Sequence, residues 1–177
     1  MNSSGRVAIV TGGGRAIGRA IALRLARAGM DVVVVGRDLS PSGERFGELF
    51  DAPTVPEEIR LLGRRGVGFE GDLREHTVAR DLMESVLAEF GRVDVLVNNA
   101  GNAQSPIERS TAAAMDEDDV ELMLSDNLMS TIAVSQQVVP AMIGAGAGAS
   151  STSLRVLRSI LARSGGDWPP TESRRPA

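Results

Sequence analysis

The chain contains no cysteine, no tyrosine and no lysine; every one of its 19 basic residues is an arginine. Without cysteine there is no disulfide framework, thiol nucleophile or thiolate metal site, a composition compatible with a reducing cytoplasm, which is the expected location. Without lysine a P-loop is excluded, because nothing can reach the phosphates as its lysine does. Aromatic residues are confined to Phe46, Phe50, Phe69, Phe90 and Trp168, and the formal net charge is -4 with a pI near 5.1. No basic face or stacking platform for nucleic acid follows from that, and no nucleic-acid partner is expected. Long apolar runs are missing as well: none reaches the roughly 18 residues needed to span a bilayer. The leading MNSSGR is too short and polar for a signal peptide, so no membrane partner is expected.

What is present is a chain of 177 residues, 42% hydrophobic, enough for one domain with a substantial core. Its most telling stretch is VAIVTGGGRAIGRAI at residues 7–21. A β-branched apolar run suits a strand buried on both faces, the glycines permit a tight turn, and a helix opening follows. Amides at such a helix N-terminus face an anion along a favourable dipole, so the stretch reads as a nucleotide cradle.

Further strands are expected at 32–35, more weakly at 67–70, and strongly at 93–97 after a turn at Gly91 and Arg92. Ile21, Leu25 and Ala28 share a helical face that Gly29 ends, and Val78, Leu82, Val86 and Phe90 repeat at helical spacing. Alternating strands and helices imply an α/β fold with a doubly wound parallel sheet. Residues 38–56, rich in Pro, Gly and acids, read as a surface excursion. Val120, Leu124, Leu128 and Ile132 predict one long helix over 116–143. Asp116, Glu117, Asp118 and Asp119 then form its solvated positive end; consecutive acids on one turn cannot converge on an ion, and no metal site is expected. Beyond 143 the sequence turns small and polar, then shows Leu154, Leu157 and Leu161 at helical spacing, then a Pro-rich tail. No fifth buried strand is visible there. The division expected is a dinucleotide-binding domain at 1–143 and a helix followed by a disordered tail at 144–177.

The string T-G-x-x-x-A-I-G from Thr11 to Gly18 resembles the T-G-x-x-x-G-I-G motif of the short-chain dehydrogenase/reductase family. Three further segments fit that family in order: Asp72-Leu73, Asn98-Asn99-Ala100-Gly101 and Asn127-Leu128. The resemblance covers residues 6 to about 142 and implies an NAD(P)-binding protein whose family reaction is hydride transfer between an alcohol and a carbonyl. It also implies roles. Gly12 and Gly18 correspond to the turn and close-packing glycines, with Arg15 and Ile17 near the pyrophosphate. Asp72 corresponds to the carboxylate that accepts from the adenine amino group, with Leu73 beside it. Asn99, Ala100 and Gly101 line the cofactor path. Ala16 replaces the family's second glycine; if that position needs φ > 0, alanine costs about 1 kcal/mol or more.

An NAD site normally ends its second strand with an acid for the ribose 2′-OH, whereas this chain has Gly36 followed by Arg37. A guanidinium there suits a 2′-phosphate, with Arg15 as a second positive charge, so NADP is expected over NAD. The other reading of Arg37 is a surface cation neutralised by Asp38. Of the family's catalytic groups, Asn127 matches the Asn, and nothing matches the Tyr-x-x-x-Lys. Ser151, Ser153 and Ser159 fall near the place of a catalytic Ser, but no Val/Ile-rich strand precedes them and none is assigned. His76, the single histidine, reads as a solvated surface residue at a helix start.

The fold expected is therefore a partial Rossmann-like sheet of four parallel strands in order 3-2-1-4. Its C-terminal strands and catalytic segment are missing, and its fourth strand is an exposed edge open to self-association. Residues from 144 onward read as non-homologous sequence, as a frameshift or a gene-model truncation would leave. Three functional readings stay open: a dehydrogenase with an unrecognised acid/base, a nucleotide-binding module without turnover, and an inactive truncation product.

Overall fold

Backbone groups in the β-branched runs find their partners in a parallel sheet, because side chains there are apolar toward both faces. β1 (Val7–Thr11) pairs with β2 (Asp31–Gly36), Val7 opposite Asp31 and Thr11 opposite Val35. On the outer side of β2 runs β3 (Gly66–Glu70), with Gly36 opposite Glu70. On the other side of β1 runs β4 (Val95–Asn98), with Val10 opposite Val97. The computed structural model describes residues 5–40, 49–101, 115–144 and 149–152.

A fifth strand corrects the expectation that β4 is an edge. β5 (Ala149–Thr152) pairs with β4 in parallel, giving the order β3-β2-β1-β4-β5. Its sequence, ASST, carries no apolar run to announce it. The free N–H and C=O groups along β4 supply the physical reason for the pairing. Residues 144–177 are thus not all helix and tail, while the helix expected around Leu154, Leu157 and Leu161 and the Pro-rich tail lie outside the described residues.

Alternation along the strands divides the core into two layers. Val7, Ile9, Val33, Val35 and Leu96 pack with α3 (His76–Phe90) and α5 (Ser130–Gly144) through Leu82, Val86, Val134 and Val138. Ala8, Val10, Val32 and Val34 pack on the opposite face against α1 (Ala16–Arg27) and α2 (Val55–Leu61) through Ala22, Leu23, Val55 and Ile59. α2 begins inside the stretch expected to be surface excursion. Thr54 and Glu57 form a reciprocal capping box, and Val55 and Ile59 behind it are fully buried. The same segment is tied to α1 by Arg19, whose Nε and Nη2 donate to Glu58 at 2.8 and 2.6 Å. Arg19 also stacks 4.4 Å from the Phe50 ring centre.

The single long helix expected over 116–143 is interrupted. α4 (Glu117–Leu124) passes through a π turn (Ser125–Met129) into α5. The buried face of the two helices runs through Met123, Val134, Val138 and Met142. Val120, Leu124, Leu128 and Ile132, the stripe that predicts the helix, stay exposed. Among the described residues no helix is long and apolar enough to cross a membrane.

Candidate functional site

The strand order places a crossover on each side of β1, so a crevice opens at the C-terminal ends of β1 and β4 where ligands of such sheets bind. Its floor is the turn from β1 into α1. Gly12 has φ of +63°, and a Cβ there would lie 2.9 Å from Ala100 Cα. A Cβ on Gly18 would lie 2.0 Å from the Gly12 carbonyl oxygen and 2.6 Å from Asn99 Nδ2. Both positions therefore need glycine for the turn to close against the end of β4. Ala16 does sit in the left-handed region, with φ of +48°, so the condition attached to this departure from the family motif is met.

Thr11, the first residue of the motif, is the hub of that closure. Its hydroxyl accepts from the amides of Asn99 and Ala100, each at 3.0 Å, and donates to the Val97 carbonyl at 3.3 Å. Asn99 Nδ2 returns bonds to the carbonyls of Thr11 and Gly12 at 3.1 Å each. The signal for Thr11 was available: a hydroxyl residue ends a strand buried along its whole length, where a side-chain oxygen must find partners. Among the described residues Asn99 Oδ1 and Asn98 Oδ1 are buried without a hydrogen-bond partner, while Asn98 Nδ2 donates to Ser135 Oγ of α5 at 3.1 Å.

The fit of a dinucleotide can be tested at the N-terminus of α1. α2 and α4 close their own first turns with Thr54 and Asp116. α1, like α3, does not: its N-cap, Arg15, contributes no side-chain cap and its first turn holds no acid. An anion at this end of α1 would meet the positive end of the helix dipole, with exposed Arg15 beside it and Ile17 presenting a half-exposed apolar side chain. The donor set fits a pyrophosphate.

Arg37 and Asp72 follow the ends of β2 and β3 at the far end of the crevice. Arg37 is exposed at the end of β2 and makes no ion pair among the described residues, yet it is near enough to help lower the Asp72 pKa. The main cause of that lowering is Arg74, whose guanidinium holds both Asp72 oxygens. Asp38 does not pair with Arg37. Its Oδ1 accepts from the Ser40 amide at 2.8 Å, and hydrogen bonding to Ser40, with a smaller contribution from Arg15, lowers its pKa. Gly36 has a packing reason of its own: a Cβ there would lie 2.9 Å from Leu39 Cδ2. Leu39 is buried over Gly14, Gly36 and Gly68, and its amide donates to Glu70 Oε1 at 2.9 Å. Leu73 is buried in the core layer under α3.

Asn127 lies in the π turn. Its Nδ2 donates to the Met123 carbonyl at 2.8 Å, and its Oδ1 packs so near Gly101 that a Cβ there would be 2.3 Å away. The structure thus gathers Gly12, Gly18, Asn99, Ala100, Gly101 and Asn127 around the β1 and β4 ends, and Arg37 with Asp72 at the β2 and β3 ends. Ser151 sits on β5 opposite Val97, His76 opens α3, and Ser153 and Ser159 lie outside the described residues. Among the described residues no cluster of metal-binding side chains occurs.

The sequence profile of the short chain dehydrogenases matches residues 6–150. The cyclohexanol dehydrogenase of Rhodococcus sp. (strain TK6) is 38% identical over 136 residues, covering 76% of this chain and 50% of that protein. A metagenomic short-chain oxidoreductase in complex with NADP superimposes with a TM-score of 0.68 at 32% identity, over 86% of this chain and 63% of the other. An NAD+-bound xylitol dehydrogenase superimposes with a TM-score of 0.70 at 25% identity, over 86% of this chain and 54% of the other. The chain spans about half the length of the curated relatives it matches, such as the Rhodococcus enzyme at 50%. With four motifs in register on a matching sheet, the chain belongs to the short-chain dehydrogenase/reductase family of oxidoreductases.

Proposed function

We propose that this chain binds NADP(H) in preference to NAD(H) and, as it stands, does so without the family's turnover. The observation that carries the cofactor reading is Arg37: an exposed guanidinium at the end of β2, not engaged by Asp38. A 2′-phosphate there gains a charge-assisted pair, which a bare ribose hydroxyl does not. The α1 amides and Arg15 hold the pyrophosphate, Gly12 and Gly18 let the backbone approach it, and Ile17 flanks it. Asp72 accepts from the adenine amino group, and Asn99, Ala100 and Gly101 line the path toward Asn127. The nucleotide-binding unit consists of residues 1–143 with β5 added to its sheet.

The nicotinamide supplies or accepts the hydride when bound. Proton transfer needs a positioned acid/base, and the Tyr-x-x-x-Lys pair of the family has no counterpart in a chain without tyrosine or lysine. Asn127 alone contributes placement. Loss of cooperating groups leaves little for the one that remains to act upon.

The test is a titration of the purified chain with NADPH and with NADH at fixed salt, repeated on Arg37→Asp. NADPH should bind more tightly to the wild type, and the preference should vanish or invert in the variant. Equal or tighter binding of NADH by the wild type overturns the cofactor reading.

A further inference from the structure

Arg74 is shared by two carboxylates, Asp72 after β3 and Asp126 in the π turn, both of which reach its Nε. Toward the adenine end, its Nε lies 2.9 and 3.0 Å from the two Asp72 oxygens, its Nη2 bonds Oδ2, and its backbone amide donates to Oδ1 at 3.1 Å. Toward the π turn, the same Nε lies 3.4 Å from Oδ1 of Asp126, whose side chain is only 6% exposed. Asp126 is the second residue of the π turn and immediately precedes Asn127. That turn is knitted to α5 by Ser130 Oγ, which donates to the Asp126 carbonyl at 2.7 Å, and by Thr131 Oγ1, which donates to the Asn127 carbonyl at 2.9 Å. Asn127 in turn packs on Gly101 at the end of β4.

We propose that Arg74 is a positioning residue that couples occupancy of the adenine end to the placement of Asn127, through the ion pair with Asp126. The proposal rests on the nucleotide reading above. An ionised carboxylate offers about four lone-pair sites, and Arg74 occupies most of those on Asp72. An amino group donating to Asp72 competes with one arm of the guanidinium fork. The arm released turns toward Asp126, the more buried carboxylate and the one that water serves least. A shorter pair there stiffens a turn whose wide hydrogen-bond register makes it the least regular part of the helix. Asn127 is then held more firmly when the adenine end is filled.

Backbone hydrogen exchange on the full chain tests this, with adenosine monophosphate as the probe because it carries the adenine end and no nicotinamide. In the free protein, Arg74→Gln should speed exchange of the π-turn amides by about fivefold, with exchange in β1 and β2 unchanged as a control for folding. Arg74→Lys should restore part of the protection. Asp126→Asn should reproduce the effect, and the double variant should add nothing further. Saturating adenosine monophosphate should slow the same amides in the wild type and leave them unmoved in Arg74→Gln, which still binds the probe through Asp72 and the glycine turn. Equal exchange of the π turn in wild type and Arg74→Gln overturns the proposal, as does equal slowing by the probe in both. If the wild type fails to bind the probe, the nucleotide reading and the coupling fall together, and the free-protein arm decides the Arg74–Asp126 anchor separately.

Discussion

Replacing Ala16 by glycine should stabilise this protein, against the usual rule that glycine weakens a helix. Ala16 is the first residue of α1 and has φ of +48°. A side chain in the left-handed conformation costs roughly 1–2 kcal/mol, because its Cβ crowds the following carbonyl. Glycine removes that cost and gives back about 0.4–1 kcal/mol by widening the freedom of the unfolded chain. The net gain is about 0.5–1 kcal/mol, which in a chain of this size raises Tm by about 1–4 °C. Ala16→Val should move the other way, since a β-branched side chain tolerates this region least. Urea unfolding and calorimetric melting of the three proteins, without nucleotide, measure the differences. If Ala16→Gly proves equal to the wild type or less stable, the left-handed backbone at this position is wrong, and so is the strain argued from it.

Thr11→Val keeps the shape of the side chain while taking the acceptor from the amides of Asn99 and Ala100; it should cost about 2–3 kcal/mol in urea unfolding, with Thr11→Ser near wild type. Arg19→Met strands the buried carboxylate of Glu58 and should cost about 3 kcal/mol by the same measure. At Asp94 and Glu58, burial works to raise the carboxyl pKa, but hydrogen bonds from Arg92 and the Val7 amide, and from Arg19 and the Asp51 amide, outweigh it and leave each lowered. Each therefore contributes stability that is present above the unfolded carboxylate range, near pH 4, and is lost as pH falls through the lowered folded value. A stability profile from neutral pH downward should fall in that acid window for the wild type and be flatter there for Glu58→Gln.

The order β3-β2-β1-β4 was legible because its inner strands are β-branched runs buried on both faces, a pattern that few other structures produce. α3 was legible from Val78, Leu82, Val86 and Phe90, and from Gly91, which ends it at φ of +71°. β5 was not, because Ala149, Ser150, Ser151 and Thr152 enter the sheet through backbone bonds that leave no mark on side-chain pattern. α2 was legible and overlooked: Thr54 and Glu57 are the spacing of a capping box, ahead of buried Val55 and Ile59. The π turn lies beyond periodicity altogether, since one added residue rotates a helix without altering its composition. At the site, motif position brought out Gly12, Gly18, Asp72, Asn99 and Asn127. It was silent on Thr11, Arg74 and Leu39, whose places depend on partners distant in the sequence.

The central claim is that this chain holds a nicotinamide dinucleotide at the glycine turn and does not turn it over. Calorimetric titration with NADPH, followed on the same sample by NADPH absorbance in the presence of a panel of ketones and aldehydes, tests both halves. Gly18→Trp serves as the control for contaminating enzyme. Saturable binding by the wild type, none by the variant, and no oxidation above the control are the expected results. A folded wild-type chain that fails to bind NADPH contradicts the first half, and robust oxidation that Gly18→Trp abolishes contradicts the second.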